Sequence, residues 1–547
     1  MKFSAPKKPH FSLKLKPSAG TYANDPRWSN EDIDPVPVAA RVWGTGSFAS
    51  YWVSDMLAPP LWSTISTTMS LGFTAREVIP ITFAGFFLCG FVVSLTGRIA
   101  ATYHVPFPVI VRSSFGMWGC IPMIFLRSTV ALMWTAISVV QAGGFLENMI
   151  SAIWPRFQTW NHLPMSANIT SSGILSVVLY WGIQTYVSML PIKKLRYFFM
   201  FKAFLVTPAW FALFLWAVIV TKGGGPLVHG PTTIDPKVGR PWSALQALNV
   251  IIGLFSSLAV NMPDFARFSK SHKASMSQAL LLPVIGTLGA LGPIFVTSAY
   301  KEIWGKYQWF LPAVIGSFHS RPLKFFAGFA MLIATLGNQI GAGSFPFGND
   351  LSGIFPQYIN IRRAAVIMSI FCLISCPWDI IANAAALLSF LSGYSCFMGP
   401  LAGVMCSDYY LVRKCKLDVK ELYNPYGLYR YNGGWNWRAY VAFFIPVSAL
   451  VPGLAYSIAP LQVKVNSGIL HLYAFSWLFG ILCAALIYYV LCVYISPPVD
   501  SFIDEAVYPP KTVEEEQERL RSLGRSASLG SKTDLDTPSD EKEADFV

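Results

Sequence analysis

Asp55-Met56-Leu57-Ala58-Pro59-Pro60-Leu61-Trp62 decides how this chain folds. The octet sits in the middle of an apolar run from Gly44 to Leu71, long enough to cross a bilayer. A membrane helix does not run unbroken through two successive prolines, because each lacks an N–H and clashes with the preceding turn. Broken backbone at membrane depth survives only where protein buries it or where it lines a cavity. The doublet therefore marks backbone that protein buries or that lines a cavity.

The composition agrees with a membrane location. Hydrophobic residues make up 54% of the 547 residues and charged residues 13%, and mean hydropathy is +0.47. Soluble domains carry about 25% charged residues, so the chain reads as an integral membrane protein. The net charge of +13 falls largely in short loops between apolar segments, which fits membrane orientation better than nucleic-acid binding. The nine cysteines lie mostly inside apolar segments, Cys376 among them, without disulfide or metal spacing. The N-terminus has Lys7, Lys8, Lys14 and Lys16 but no apolar core, so it is not a signal peptide.

Twelve apolar segments are expected as spans, near 44–71, 78–97, 121–145, 172–190, 198–220, 243–263, 279–299, 324–343, 364–380, 382–411, 439–458 and 473–495. They are numbered 1 to 12 below. An even number places both termini on one side. With that side cytoplasmic, the basic loops Lys193-Lys194-Leu195-Arg196, Arg362-Arg363 and Arg413-Lys414-Cys415-Lys416 lie inside, and the sequon Asn168-Ile169-Thr170 lies outside. Residues 1–43 and 496–547 are polar or charged tails, expected to be disordered and open to regulatory partners. Arg525-Ser526-Ala527-Ser528 reads either as a phosphorylation segment or, more plainly, as part of a solvated tail. Five segments after the proline doublet, Gly253 and Asn261-Met262-Pro263-Asp264 predict a second break, in segment 6. Two breaks five segments apart are the signature of a carrier built from an inverted five-plus-five repeat, with segments 11 and 12 added outside.

Trp134, Ser138 and Gln141 in segment 3 fall on one helical face, where an aromatic and two hydrogen-bonding groups form a platform for a planar heterocycle; interhelical packing is the plainer alternative. Segment 8 reads Gly337-Asn338-Gln339-Ile340-Gly341-Ala342-Gly343, two amides among small residues, which suits either a polar wall or a packing seam. Asp55, Glu147, Asp264, Asp350 and Asp408 are acids inside or bordering segments, and such residues are functional candidates. The alternatives are an Asp264–Arg267 ion pair, an Asp350 near the cap of a surface helix, and a Lys202 that snorkels to the interface. No metal-ligand cluster, phosphate loop or nucleophile elbow points to an enzyme.

Several stretches resemble the nucleobase:cation symporter-1 family, in its fungal uracil, allantoin and uridine permease branch. They are Trp28 to Pro37, Tyr51-Trp52-Val53-Ser54-Asp55, Phe107 to Gly116 through Arg127 and Trp134, Asn261 to Phe268, Asp350 to Arg363, Cys376-Pro377-Trp378, Ser407-Asp408-Tyr409-Tyr410 and Asn436-Trp437-Arg438-Ala439. The resemblance implies a heterocycle stacked between aromatics of segments 3 and 6, at Trp134 and Phe255. It also implies amide anchors at the positions occupied here by Ser138 and Gly343. Both amides are absent, while Gln141 and Asn338 lie about one turn away and would replace them. The sodium ligands of some relatives, adjacent hydroxyls on segment 8, correspond to Gly337-Asn338, so the resemblance favours a proton over sodium as coupling ion.

The sequence thus predicts an all-α transporter in the cell membrane, importing a uracil-, allantoin- or purine-like heterocycle with a proton and needing no cofactor. Its expected substrate site is Trp134, Ser138, Gln141, Phe255, Asn338 and Gly343, with Asp55, Asp264 and Asp350 for coupling or gating. A larger nucleoside or vitamin-like substrate (thiamine, nicotinamide riboside, uridine) is the alternative that extra room at Ser138 and Gly343 suggests. A non-transporting sensor that signals through its C-terminal tail is the alternative of another class.

Overall fold

The computed structural model describes residues 14–15, 22–23, 25–190, 192–234, 236, 238–375, 377–381 and 383–522. The described chain is helical, with only isolated β-bridges. Nine helices among the described residues are long and apolar enough to cross a membrane. They correspond to segments 2, 3, 5, 6, 7, 8, 10, 11 and 12. Segment 4 is the helix Ser171–Ser188 and segment 9 the short helix Ile361–Ile374.

Segment 1 is two helices, Thr45–Met56 and Pro59–Met69, joined through Leu57 and extended Ala58. The prolines occupy the first two positions of the second half, where a helix has N–H groups without intrahelical partners. Proline there removes donors that would otherwise be stranded in an apolar interior. Single prolines behave differently: Pro80, Pro208, Pro283, Pro293 and Pro400 all lie inside continuous helices.

The second break falls between Gly253 and Asn261 but is softer than the sequence suggests. Arg240–Ser256 and Leu258–Ala266 are separated only by Ser257, whose dihedrals remain α-helical, and the chain stays helical through Asn261 and Pro263. One proline costs one backbone bond without ending the helix, and side chains serve carbonyls on either side of Ser257. Tyr394 donates to the Gly253 carbonyl, the Cys89 thiol to Phe255 at 3.3 Å, and Arg127 to Val260 at 3.1 Å. Segment 8 holds an irregularity not foreseen: Gln339–Ser344 is π-helical between Arg321–Asn338 and Phe345–Ile354.

Segment 2 packs along segments 6 and 7, and segment 3 along segments 4 and 8, so two groups face one another, 1-2-6-7 and 3-4-8-9. Segments 10, 11 and 12 pack together at the side. A short helix missed in the sequence, Phe107–Phe115, turns the chain from segment 2 into segment 3.

The expectation of disordered tails fails for their described parts. Trp28 and Ile33 are buried, and the Arg112 guanidinium donates to the Trp28 carbonyl at 3.2 Å. The Arg267 guanidinium donates to the Asp32 carbonyl at 2.6 Å, and Asn30 donates to Pro356 at 3.1 Å. The C-terminal helix Val513–Ser522 closes over this layer, with Glu516 accepting from Val38 N–H at 3.1 Å and Arg519 above the Tyr22 ring. Neither tail buries a core alone, but each uses the end of the bundle and the other tail as its partner surface. Arg525–Ser528, Cys376 and the side chains of Lys193, Lys194 and Arg196 lie outside the described residues. The described cysteines are free thiols.

Candidate functional site

Segments 1, 3, 6 and 8 enclose a cavity at the level of the breaks. Its wall comprises Asp55 and Pro60; Ala131, Trp134, Thr135 and Ser138; Leu254, Phe255, Ser257, Leu258 and Asn261; and Asn338, Gln339, Ala342 and Gly343. Each helix contributes by a simple rule. Segments 3 and 6 present residues three, four and seven apart, one α-helical face each. Segment 8 presents Asn338 and Gln339 together with Ala342 and Gly343, four residues on, where the helix enters its π-helical stretch. The cavity is about 50 Å³, well below the roughly 300–1,000 Å³ of open small-molecule sites.

Six of the nine expected residues meet here: Trp134, Ser138, Phe255, Asn338, Gly343 and Asp55. Trp134 lies edge-on to Phe390 of segment 10 at 5.7 Å. Phe255 is held edge-on between Trp52 at 5.8 Å and Phe86 at 5.5 Å.

Three residues lie elsewhere. Gln141 does not reach the wall; its Nε2 donates to Ser63 Oγ at 2.9 Å, tying segment 3 to the second half of segment 1. Asp264 and Asp350 form a fully buried cluster around Arg127, and not the Arg267 pair or the surface cap that local sequence suggested. Arg127 Nη1 is 2.9 Å from Asp264, its Nε donates to Asp350 at 3.0 Å, and its guanidinium lies over the Phe107 ring. Two carboxylates from segments 6 and 8 converge on one cation from segment 3, a pairing sequence distance hides. Arg267 instead holds the N-terminal segment at Asp32 and donates to Asn349.

The extra room expected at Gly343 is absent. A Cβ built there would lie 2.3 Å from Thr135 Oγ1, so a threonine side chain already fills that space. Gln339 is also committed, donating to the Thr135 carbonyl at 2.9 Å and accepting from the Tyr180 hydroxyl.

The break in segment 1 has a polar lining of its own. A helix end leaves carbonyls without intrahelical partners, and two of them are served across the gap. Lys202 Nζ of segment 5 donates to the Ser54 carbonyl at 2.7 Å. Asn338 Nδ2 donates to Asp55 Oδ1 at 2.6 Å and approaches the Asp55 carbonyl at 3.5 Å. Lys202 is 1% exposed and does not snorkel. A Cβ on Gly337 would lie 2.4 Å from Lys202 Cδ, so this glycine is the slot through which the lysine reaches segment 1. Lys202 and the Asp55 carboxylate thus meet at the same break, one through the Ser54 carbonyl and the other through Asn338.

Residues 35–480 match a protein family described as permease for cytosine/purines, uracil, thiamine, allantoin. A permease of Schizosaccharomyces pombe, described as uncharacterized, is 32% identical, over 92% of this chain and 89% of its own. The uracil permease of Saccharomyces cerevisiae is 28% identical, over 86% of this chain and 76% of its own. The allantoin permease of Bacillus subtilis is 29% identical, over 90% and 98%. Among solved structures, Mhp1, a nucleobase-cation-symport-1 family transporter captured closed with bromovinylhydantoin bound, superposes with a TM-score of 0.67 at 20% identity, over 90% of this chain and 99% of its own. At that identity the likeness shows the fold.

Proposed function

The chain belongs to the family of permeases for cytosine and purines, uracil, thiamine and allantoin, and on that premise we propose that it imports a nucleobase-like heterocycle together with a proton. It is a membrane transporter and not an enzyme. The observation that carries the reading is the cavity, where an aromatic from each of segments 3 and 6 meets polar groups beside two irregular helices. Flat apolar faces with a few placed polar groups suit a planar heterocycle.

Our reading of the architecture is twelve spans in a five-plus-five inverted repeat, with segments 11 and 12 outside it. The partnering of 2 with 7 and 3 with 8 supports the repeat, since these are equivalent segments of the two halves. Transport follows as one four-helix group rocks against the other around the fixed cavity. Plasma-membrane residence with both termini cytoplasmic is the orientation that the basic loops favour.

Proton coupling draws support from Lys202 and Asp55. An ammonium already sits between the open end of the first half-helix and segment 8, so a sodium ion there would meet a like charge. Asp55 faces the cavity and can exchange a proton as water access alternates.

Radiolabelled uptake in a strain lacking its own permeases, with pH and sodium gradients imposed separately, tests the proposal. Accumulation that follows the proton gradient supports it. Binding without accumulation would indicate a sensor, and sodium-dependent accumulation would overturn the coupling.

A further inference from the structure

We propose that Asn261 of segment 6 is the amide that reads the substrate, hydrogen-bonding the –CO–NH– edge of a lactam ring, in place of the anchors missing at Ser138 and Gly343. This rests on the transport reading above and names the group that gives it specificity.

The amides near the cavity can be sorted by what they already hold. Gln141 lies off the wall, its Nε2 holding Ser63 and its Oε1 unpaired, Gln339 is held by the Thr135 carbonyl and Tyr180, and Asn338 by Asp55. Asn261 lines the cavity, is only 2% exposed, and its Oδ1 has no hydrogen-bond partner. A buried carboxamide oxygen without a partner is costly unless a ligand or water pairs with it, and this one is set apart from the other unpaired buried oxygens by lining the cavity. The other buried polar atom of the wall without a partner, among the described residues, is Trp134 Nε1.

The position also explains why the helix carries asparagine here. Asn261 lies one turn beyond Ser257, the single residue where segment 6 is interrupted, and its N–H bonds to the Ser257 carbonyl at 2.9 Å. Leu254, Phe255, Ser257, Leu258 and Asn261 form one continuous stripe toward the cavity. Asn261 thus faces the same cavity as Phe255. A carboxamide offers one acceptor and one donor side by side, which a cis lactam N–H and carbonyl match in a paired contact. Thiamine has no such edge, whereas uracil, allantoin and cytosine present it whole or in part. The ligand class is thus a ring with an adjacent N–H and carbonyl.

The test uses the full-length protein in a strain lacking its own permeases, with labelled uracil, allantoin, cytosine and thiamine as probes. For a lactam that the protein accumulates, Asn261→Ala and Asn261→Asp are assayed at matched surface level. The parent ring and its N-methyl derivative serve as competitors. The expected result is a KM roughly ten- to hundredfold higher in both variants, with the preference for the parent over the N-methyl ring lost. Unchanged KM and unchanged N-methyl discrimination in either variant that reaches the surface, while Trp134→Ala is impaired, would overturn the role of Asn261 and leave transport standing. Accumulation of thiamine alone would do the same. No accumulation of any probe would overturn the transport reading, and this assignment with it.

Discussion

The Lys202 ammonium lies 2.7 Å from the Ser54 carbonyl, bridging segment 5 to the last turn before the break in segment 1. The contact serves a carbonyl that the break left without a helical partner, and it places a cation beside Asp55. Lys202→Met should therefore abolish gradient-driven accumulation while leaving substrate binding measurable. Lys202→Arg should not rescue it, because a planar fork does not replace a compact ammonium in a slot bounded by Gly337. Counterflow and net uptake measured side by side separate the two effects. Normal accumulation in Lys202→Met would remove Lys202 from coupling.

Trp134 and Phe255 should respond differently to truncation. Trp134 is half-buried and lines the cavity, so Trp134→Ala should cost about 1–3 kcal/mol of substrate affinity at normal surface level. Phe255 also fills the core between Trp52 and Phe86, and Phe255→Ala should cost about 3–5 kcal/mol of stability. Its surface level should fall along with uptake. Equal expression of the two variants would contradict this division.

Gly343→Asn should impair the protein by itself, because the new side chain meets Thr135 Oγ1. Adding Thr135→Ala frees that space. The triple change Ser138→Gln, Thr135→Ala, Gly343→Asn should then shift preference toward uracil-like or allantoin-like ligands, as amide anchors return. Competition profiles for the double and triple variants check the order of effects. A functional Gly343→Asn single variant would show that Thr135 yields easily.

Removing Arg127 leaves Asp264 and Asp350 buried without their ion-pair partner. Arg127→Gln should cost about 3–5 kcal/mol and deplete the protein from the membrane. Lysine cannot reproduce contacts to two carboxylates and the Val260 carbonyl, so Arg127→Lys should fail too. Detergent-solubilised melting temperatures provide the measurement. Retained stability in Arg127→Gln would mean that the carboxylates carry protons and need no cation.

Asp34, in the N-terminal layer, is buried, and burial pushes its carboxyl up to about 7 from 3.8. Hydrogen bonds from Ser29 and the Tyr22 N–H, and the charges of Arg519 and Arg112, offset only part of that rise. The docked segment then binds more protons than the undocked one, so docking is strongest at low pH and weakens as pH rises from 3.8 through about 7. Hydrogen exchange around Tyr22 and Ser29, corrected for intrinsic rates, should show more protection below that window than above it. Asp34→Asn should flatten the difference, and an unchanged profile in that variant would assign the pH dependence elsewhere.

Local chemistry made much of this protein legible from its sequence. Proline at positions 59 and 60 forces a break whatever surrounds it, because ring geometry and a missing N–H act within one turn. The 3.6-residue repeat put Trp134 and Ser138 on one face, and that face is the one that meets the cavity. Pro263 misled for the complementary reason: a single lost bond does not end a helix, and the interruption sits at Ser257, where Tyr394, Cys89 and Arg127 serve nearby carbonyls from three other helices. Packing alone decided the partners of long polar side chains. Gln141 turned to Ser63, Asp264 and Asp350 turned to Arg127, and Lys202 reached segment 1, because a buried polar group bonds the complementary group within its reach whatever the sequence distance. The same competition left Asn261 Oδ1 unpaired at the cavity wall, which sequence periodicity does not reveal. Backbone constraints are written residue by residue, while the pairing of buried polar groups exists only once the helices have met.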